Sequence, residues 1–176
     1  MSTISRITPC LWYDGAAEEA AKLYTSLFPD SHIDDVMRSA SDNPSVSEGA
    51  VLVVRFTLAG QALLALNGGP QFKFTEAVSL QIDCADQSEV DHYWEGLVAG
   101  GGEHGQCGWL KDRFGLSWQV IPREMQQYLG GSDPDGARRA MQAMLEMKKL
   151  VVADLRAAYE GRRTRVSSVV MQITTH

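Results

Sequence analysis

The sequence predicts an α+β fold of two β-α-β-β-β modules followed by a C-terminal helix. Two observations carry this. First, the chain repeats its own pattern at an offset of seventy: residues 9–27 read PCLWYDGAAEEAAKLYTSL and residues 79–97 read SLQIDCADQSEVDHYWEGL. Each is a strand-like run, a polar break and an amphipathic helix ending in an aromatic and a leucine. Glu19 matches Glu89, Ala20 Val90, Leu23 Tyr93, Tyr24 Trp94 and Leu27 Leu97. Second, each helix runs on into short strands, with the turn pairs Ala59-Gly60 and Phe114-Gly115 in matching places. A chain built from two copies of one unit tends to bury a site between them.

Taken in order, Ile4 to Tyr13 reads as a strand and Asp14-Gly15 as a break, with Asp14 a helix cap. Ala16 to Phe28 is helical, because Ala17, Ala20, Leu23, Tyr24 and Leu27 fall on one stripe. Pro29-Asp30 ends it, and Ile33 to Arg38 is a short strand. Residues 39–49 form a polar loop. Ala50 to Leu58 and Gln61 to Leu66 are strands joined by a tight hairpin. Asn67-Gly68-Gly69-Pro70 closes the first module. In the second, Ala77 to Cys84 is a strand and Gln87 to Ala99 a helix, followed by strands at 103–107, 109–112 and 116–121.

A third segment lies outside the repeat. Asp133 as cap and Pro134 at the first helical position open a long helix. Ala137, Met141, Met144, Lys148, Val151, Leu155 and Ala158 keep helical spacing, and Gly161 closes it. Met141, Met144 and Met147 read as core filler. The expected boundaries are a paired domain over residues 1–122 (modules about 4–70 and 71–122), a helical extension over 123–161 and a tail over 162–176.

Composition bounds the function. The 176 residues carry 22 acidic and 16 basic side chains, a net charge of −6. Phosphate binding needs clustered Lys and Arg, so no nucleic-acid partner is expected. The one basic cluster, Arg162, Arg163 and Arg165, reads as a solvated tail. No run approaches the roughly 20 apolar residues that cross a bilayer, so no membrane is expected and the protein is expected in the cytoplasm. Cys10, Cys84 and Cys107 are odd in number and dispersed, which fits reduced thiols.

The segments ITPCLWYDGAAEEAAKLYTSLFPDS (7–31), LNGGP (66–70), CGWLKDRFGLSWQVIP (107–122) and DPDGARRAMQAMLEMKKL (133–150) carry a resemblance. The chain resembles the vicinal oxygen chelate superfamily of glyoxalase I, ring-opening dioxygenases and bleomycin-resistance proteins. It is most similar to the PhnB-like branch, often labelled 3-demethylubiquinone-9 3-methyltransferase domains. The resemblance implies paired modules whose curved mixed sheets form a central cavity, often completed in a homodimer. It does not imply one reaction.

The superfamily's chemistry implies a divalent metal held at four strand positions, two per module, acting as Lewis acid on two substrate oxygens. The offset of seventy and the turn glycines place those positions at Pro9, Leu64, Ser79 and Gln119. Proline and leucine have no side-chain donor, serine is a poor ligand and glutamine a weak one. No metal and no cofactor are expected. Metal-dependent lyase or dioxygenase chemistry and the methyl transfer of the family label are the alternatives.

Alternation along strands sorts the remaining side chains. Val78, Leu80, Ile82 and Cys84 should face a helix, leaving Ser79, Gln81 and Asp83 toward the cavity. Leu116, Trp118 and Val120 leave Ser117 and Gln119 inward, and Leu52, Val54, Phe56 and Leu58 leave Val53, Arg55 and Thr57. Arg55 and Asp83 either pair with each other or lie at the solvent edge, or Arg55 binds a carboxylate. Trp109 and Asp112 sit on a strand at the cavity mouth. Asn67 either joins the site or only makes a tight turn. The expected substrate-binding set is thus Arg55, Asn67, Ser79, Gln81, Asp83, Trp109, Asp112 and Gln119, holding a small polar or anionic organic molecule; no catalytic residue is assigned.

Other signals are weak. The run Gly100 to Gly105 fits G-x-G-x-x-G but follows a helix, whereas a nucleotide loop needs strand-turn-helix. His104 with Cys107 is half a metal motif. Cys10 and Cys84 are expected on the helix-facing side as inert thiols, and His32 and His92 at the surface.

Overall fold

The structure, a computed structural model, describes residues 6–162. The first module runs β1 (Cys10–Tyr13), α1 (Ala17–Leu27), β2 (His32–Arg38), β3 (Val51–Leu58) and β4 (Gln61–Asn67). The second runs β5 (Ser79–Cys84), α2 (Gln87–Val98), β6 (Glu103–His104), β7 (Trp109–Lys111) and β8 (Ser117–Pro122). Helices α3 (Met125–Leu129), α4 (Pro134–Glu146) and α5 (Val152–Tyr159) follow. The β-α-β-β-β order occurs twice, and the sheets repeat it: β1-β4-β3-β2 and β5-β8-β7-β6. The chain clusters into two compact units. Among the described residues, one holds 6–79 with Gly96–Gly102 and Lys111–Ser117; the other holds Leu80–Glu95, Glu103–Leu110 and 118–162.

In the first unit, β4 pairs parallel with β1 and antiparallel with β3, which pairs antiparallel with β2. Ala59 and Gly60 join β3 to β4 with φ of 47° and 80°. Two consecutive positive φ values make the mirror-image turn whose twist matches a hairpin. One face of the sheet buries Leu11, Tyr13, Val54, Phe56, Leu58, Leu63 and Ala65. Helix α1 covers that face with buried Ala17, Ala20, Ala21 and Tyr24, the alanines letting the helix backbone sit close.

Asp14 does not cap this helix: the N-cap is Ala16, with no side-chain cap bond. Instead Asn67 Oδ1 accepts from Ala17 N at 2.9 Å. The parallel register sets Asn67 opposite Tyr13, four residues before the first helical turn, so the cap comes from the neighbouring strand. Strand β1 begins at Cys10, with described residues 6–9 outside it and Ile4 beyond the described residues; the Pro9 carbonyl still accepts from Leu64 N at 2.9 Å.

In the second unit, Ile82, Cys84, Val90, Tyr93, Trp94, Trp118, Val120 and Ile121 are buried. Val78 departs from the expected apolar row: it lies before β5 and is 68% exposed. The tip between β6 and β7 turns at Cys107 and Gly108, with φ of 56° and 81°, and Trp109 N donates to Gln106 O at 3.0 Å.

The expected single long helix is two helices. Residues 147–151 leave the helix because distant groups take their backbone: Cys107 N donates to Met147 O at 2.7 Å and Gly108 N to Lys148 O at 2.8 Å. The Gln87 amide donates to Leu150 O at 3.1 Å and accepts from Val152 N at 2.8 Å. Lys148 and Val151 therefore leave the helical stripe. Asp133 caps α4 as expected, accepting from Asp135 N. Met144 and Met147 pack against Tyr128, Ala140 and Leu155, whereas Met141 is 42% exposed and fills no core. Of the basic cluster, Arg162 pairs with Glu160, while Arg163 and Arg165 lie outside the described residues.

Candidate functional site

Helix α1 packs on one face of the first sheet, and the functional candidates of this sheet lie on the other. The side chains of that other face stand in rows set by the register. One row runs Cys10, Leu64, Arg55, Asp35 across β1, β4, β3 and β2. The next runs Trp12, Leu66, Val53, Met37. Cys10 and Arg55 are exposed, and Trp12, Leu64, Leu66 and Val53 are half-buried. Val53, Arg55 and Thr57 thus take the side that alternation predicts. Cys10 does not. It is exposed, because Leu11 and Tyr13 are the residues of β1 that turn to the helix. Partial burial still holds its thiol above the ordinary value.

Arg55 is flanked in register by Leu64 and Asp35, and among the described residues its guanidinium takes no hydrogen bond or ion pair. Of the nearby charges, Asp34 and Arg38 are occupied, whereas Asp35 stands exposed beside Arg55. Asp34, on a bulge of β2, accepts from Thr57 Oγ1 at 2.9 Å and lies 3.0 Å from His32 Nε2. Arg38 donates to Gly49 O at 3.1 Å.

The Asn67-Gly68-Gly69 run fixes Trp12. Trp12 Nε1 donates to Gly69 O at 2.8 Å, and Gly68 N and Gly69 N both donate to Tyr13 O. A Cβ on Gly68 would lie 2.3 Å from the indole, so only glycine fits beneath it. The Trp12 and Phe72 rings meet edge to face at 5.0 Å. Asn67 itself is buried, with its amide spent on Ala17 N and on Val51 O at 2.9 Å.

Asp112 is also buried in the first unit. Its Oδ2 accepts from the Tyr24 hydroxyl at 2.6 Å, and its Oδ1 from Phe114 N at 2.9 Å and Leu116 N at 3.0 Å. Tyr24 lies 3.2 Å from the Tyr13 hydroxyl. Burial holds both tyrosine hydroxyls well above their ordinary value. Asn67 and Asp112 therefore sit on the core side of this unit, away from the Arg55 row. The Tyr13 and Tyr24 links escaped the sequence reading, since nothing local ties a helix tyrosine to a carboxyl 88 residues on.

Ser79 is half-buried at the start of β5, and Gln81 and Asp83 are exposed beyond it. Asp83 pairs with Arg123 Nε at 2.9 Å, a solvated ion pair. Trp109 in β7 and Gln119 in β8 are half-buried, while Ser117 is buried with its hydroxyl unpartnered among the described residues. Cys84 is buried, and desolvation with nearby Glu89 and Asp83 pushes its thiol up to about 12. His104 stacks flat on Trp94 at 4.5 Å with Nε2 3.1 Å from Trp94 O, so it is a packing residue. The glycine run ends α2, with Gly101 N and Gly102 N donating to Val98 O, and leads into β6. It is a helix-to-strand connection, not a phosphate loop.

Of the four positions expected from the resemblance, Pro9, Leu64, Ser79 and Gln119, Leu64 is the register neighbour of Cys10 and Arg55. Two of the four have no donor atom in the side chain, so this set does not fit a metal centre. Among the described residues no three His, Cys, Asp or Glu side chains converge on a metal-sized site.

The family model described as 3-demethylubiquinone-9 3-methyltransferase matches residues 5–121. The chain belongs to this family. Among solved structures it is similar to a putative 3-demethylubiquinone-9 3-methyltransferase, PhnB protein, from Bacillus cereus: 34% identity, TM-score 0.61, covering 67% of this chain and 99% of that one. A Pseudomonas aeruginosa protein shares the fold at 19% identity and TM-score 0.53, over 65% of this chain and 94% of that one. None of the curated proteins matches the chain. The family match stops at residue 121, so α3, α4 and α5 lie beyond it, including the 133–150 segment that read as part of the resemblance. Within the matched family region, the LNGGP run is the Trp12 seat, and the KDRFGLSW run is the Asp112 turn.

Proposed function

We propose that this PhnB-like, glyoxalase-like-fold chain binds a small polar or anionic organic molecule without a catalytic metal. Arg55 carries the reading: an exposed guanidinium on a half-apolar sheet face, with no partner among the described residues. A planar fork of donors recognises a carboxylate in two bonds. The donor-poor set Pro9, Leu64, Ser79 and Gln119 supports the metal-free part. The polar residues Ser79, Gln81, Trp109 and Gln119 belong to the proposed binding surface, and a cytoplasmic homodimer is the proposed assembly. No helix among the described residues is long and apolar enough to cross a membrane.

A thermal-shift screen of carboxylates tests the reading. A hit should raise the melting temperature of the wild type and not of Arg55→Ala; an equal shift in both would refute it. Elemental analysis with added Ni, Zn, Mn or Fe tests the metal-free part, which a stoichiometric metal with a metal-dependent shift would overturn.

The family's own description favours a second reading, transfer of a methyl group. Titration with S-adenosylmethionine separates the two: saturable binding supports methyl transfer, and its absence removes it.

A further inference from the structure

The first sheet's open face defines a shape as well as a charge. Strands lie about 4.8 Å apart and rise about 3.3 Å per residue, so Cα of Trp12 and Cα of Arg55, two strands and one row apart, are about 12 Å from each other. Between them the floor is Leu64, Leu66 and Val53, all half-buried and apolar. At the cationic end Asp35 stands beside Arg55 on β2 and disfavours a second negative charge. At the apolar end the Trp12 indole is pinned by Gly69 and braced by Phe72, so its position is preformed.

Resting on the reading that Arg55 is an anion site, we propose that the ligand is a monocarboxylate with a flat apolar body. The carboxylate sits on Arg55, and the body lies across Leu64 and Leu66 toward Trp12. Charge complementarity selects this occupant over a second copy of the chain: an apolar interface laid here would bury Arg55 with only Asp35 alongside, at a desolvation cost.

Calorimetry compares 3-phenylpropionate, acetate, 3-phenylpropionamide and phenylsuccinate as probes. 3-Phenylpropionate should bind at least about tenfold tighter than acetate and than the amide. Arg55→Ala should lose about tenfold or more for the carboxylate and little for the amide, and Asp35→Asn should admit phenylsuccinate. A second readout needs no variant. Cys10 shares the Arg55 row and is exposed, so 3-phenylpropionate, but not acetate, should slow its alkylation by iodoacetamide, read by peptide mass. Equal affinity for acetate and 3-phenylpropionate, or an unprotected Cys10, with Arg55 dependence retained, overturns the ligand class and leaves the anion site standing. Loss of Arg55 dependence for every probe overturns the anion site itself. Cys10 that reacts only after dilution to monomer shows a second copy on this face and overturns the proposal.

Discussion

The Tyr24 hydroxyl donates to Asp112 Oδ2 at 2.6 Å, both residues buried, and so ties the middle of α1 to the turn before β8. The same carboxyl group accepts two backbone N–H bonds from that turn, at Phe114 and Leu116. Phe56 and Phe114 flank Tyr24. In such surroundings a lost donor is not replaced by water. Tyr24→Phe should cost about 1–3 kcal/mol in urea unfolding, and Asp112→Ala more, because it also frees two backbone donors. A loss in Tyr24→Phe too small to measure would show that the bond carries no stability.

Alkaline unfolding reads the same cluster. Burial, before any other cause, keeps the Tyr13 and Tyr24 protons on in the folded chain, whereas unfolded tyrosines ionise near 10. Above about pH 10 the unfolded state therefore binds fewer protons than the native state, and stability falls as pH rises. Each tyrosine contributes about 1.4 kcal/mol per pH unit to that slope. Tyr13→Phe should flatten the fall by about that amount between about pH 10 and 12, and leave the slope below about pH 9 unchanged. An unchanged slope would mean that Tyr13 ionises as readily in the native protein as in the unfolded one.

Periodicity made both modules legible: the helical stripes of α1 and α2, the alternation of β3 and the offset of seventy all have counterparts in the structure. What periodicity misses is set by partners far along the chain. Asn67 caps a helix 50 residues earlier, so the adjacent Asp14 looked the better cap. Cys107, Gly108 and Gln87 break a helix whose own spacing is unbroken. Cys10 lies on the face opposite the helix, not toward it, because strand parity has a period of two and one residue of slip exchanges the faces. Arg55, by the same rule, falls on the face opposite Val54, Phe56 and Leu58, in the half of β3 where burial alternates.

Gly68 tests the Trp12 seat. A methyl group there would lie 2.3 Å from the indole, and the ring is held by Gly69 O, so it cannot simply swing aside. Gly68→Ala should destabilise the chain by about 1–3 kcal/mol, the range for overpacking, and red-shift the Trp12 emission as the indole moves toward water. A control in Trp12→Phe should lose the spectral change.

Gln87 latches the segment between α4 and α5, and the Lys149–Asp91 pair at 2.9 Å lies beside it. Gln87→Ala leaves Leu150 O and Val152 N without their partner, a loss of about 1–2 kcal/mol. Local opening at 147–151 should then come before global unfolding. Limited trypsin digestion should cut after Lys148 or Lys149 faster in the variant than in the wild type, while the urea midpoint of the remaining fold moves less. Equal cleavage rates would place the hold of this segment in Cys107, Gly108 and the Lys149–Asp91 pair.

The three thiols should separate kinetically. Cys10 is exposed, Cys107 half-buried and Cys84 fully buried. The thiolate is the reactive form, and the Cys84 thiol is pushed up to about 12. With Ellman's reagent at pH 8, native protein should release its first equivalent from Cys10, as identified by peptide mass. Cys84 should react only in denaturant. Raising the pH from 8 to 9 should speed Cys10 without exposing Cys84, because the Cys10 thiol is held above its ordinary value by partial burial and not by lack of access. Early labelling of Cys84 would mean that β5 opens far more readily than its buried core allows.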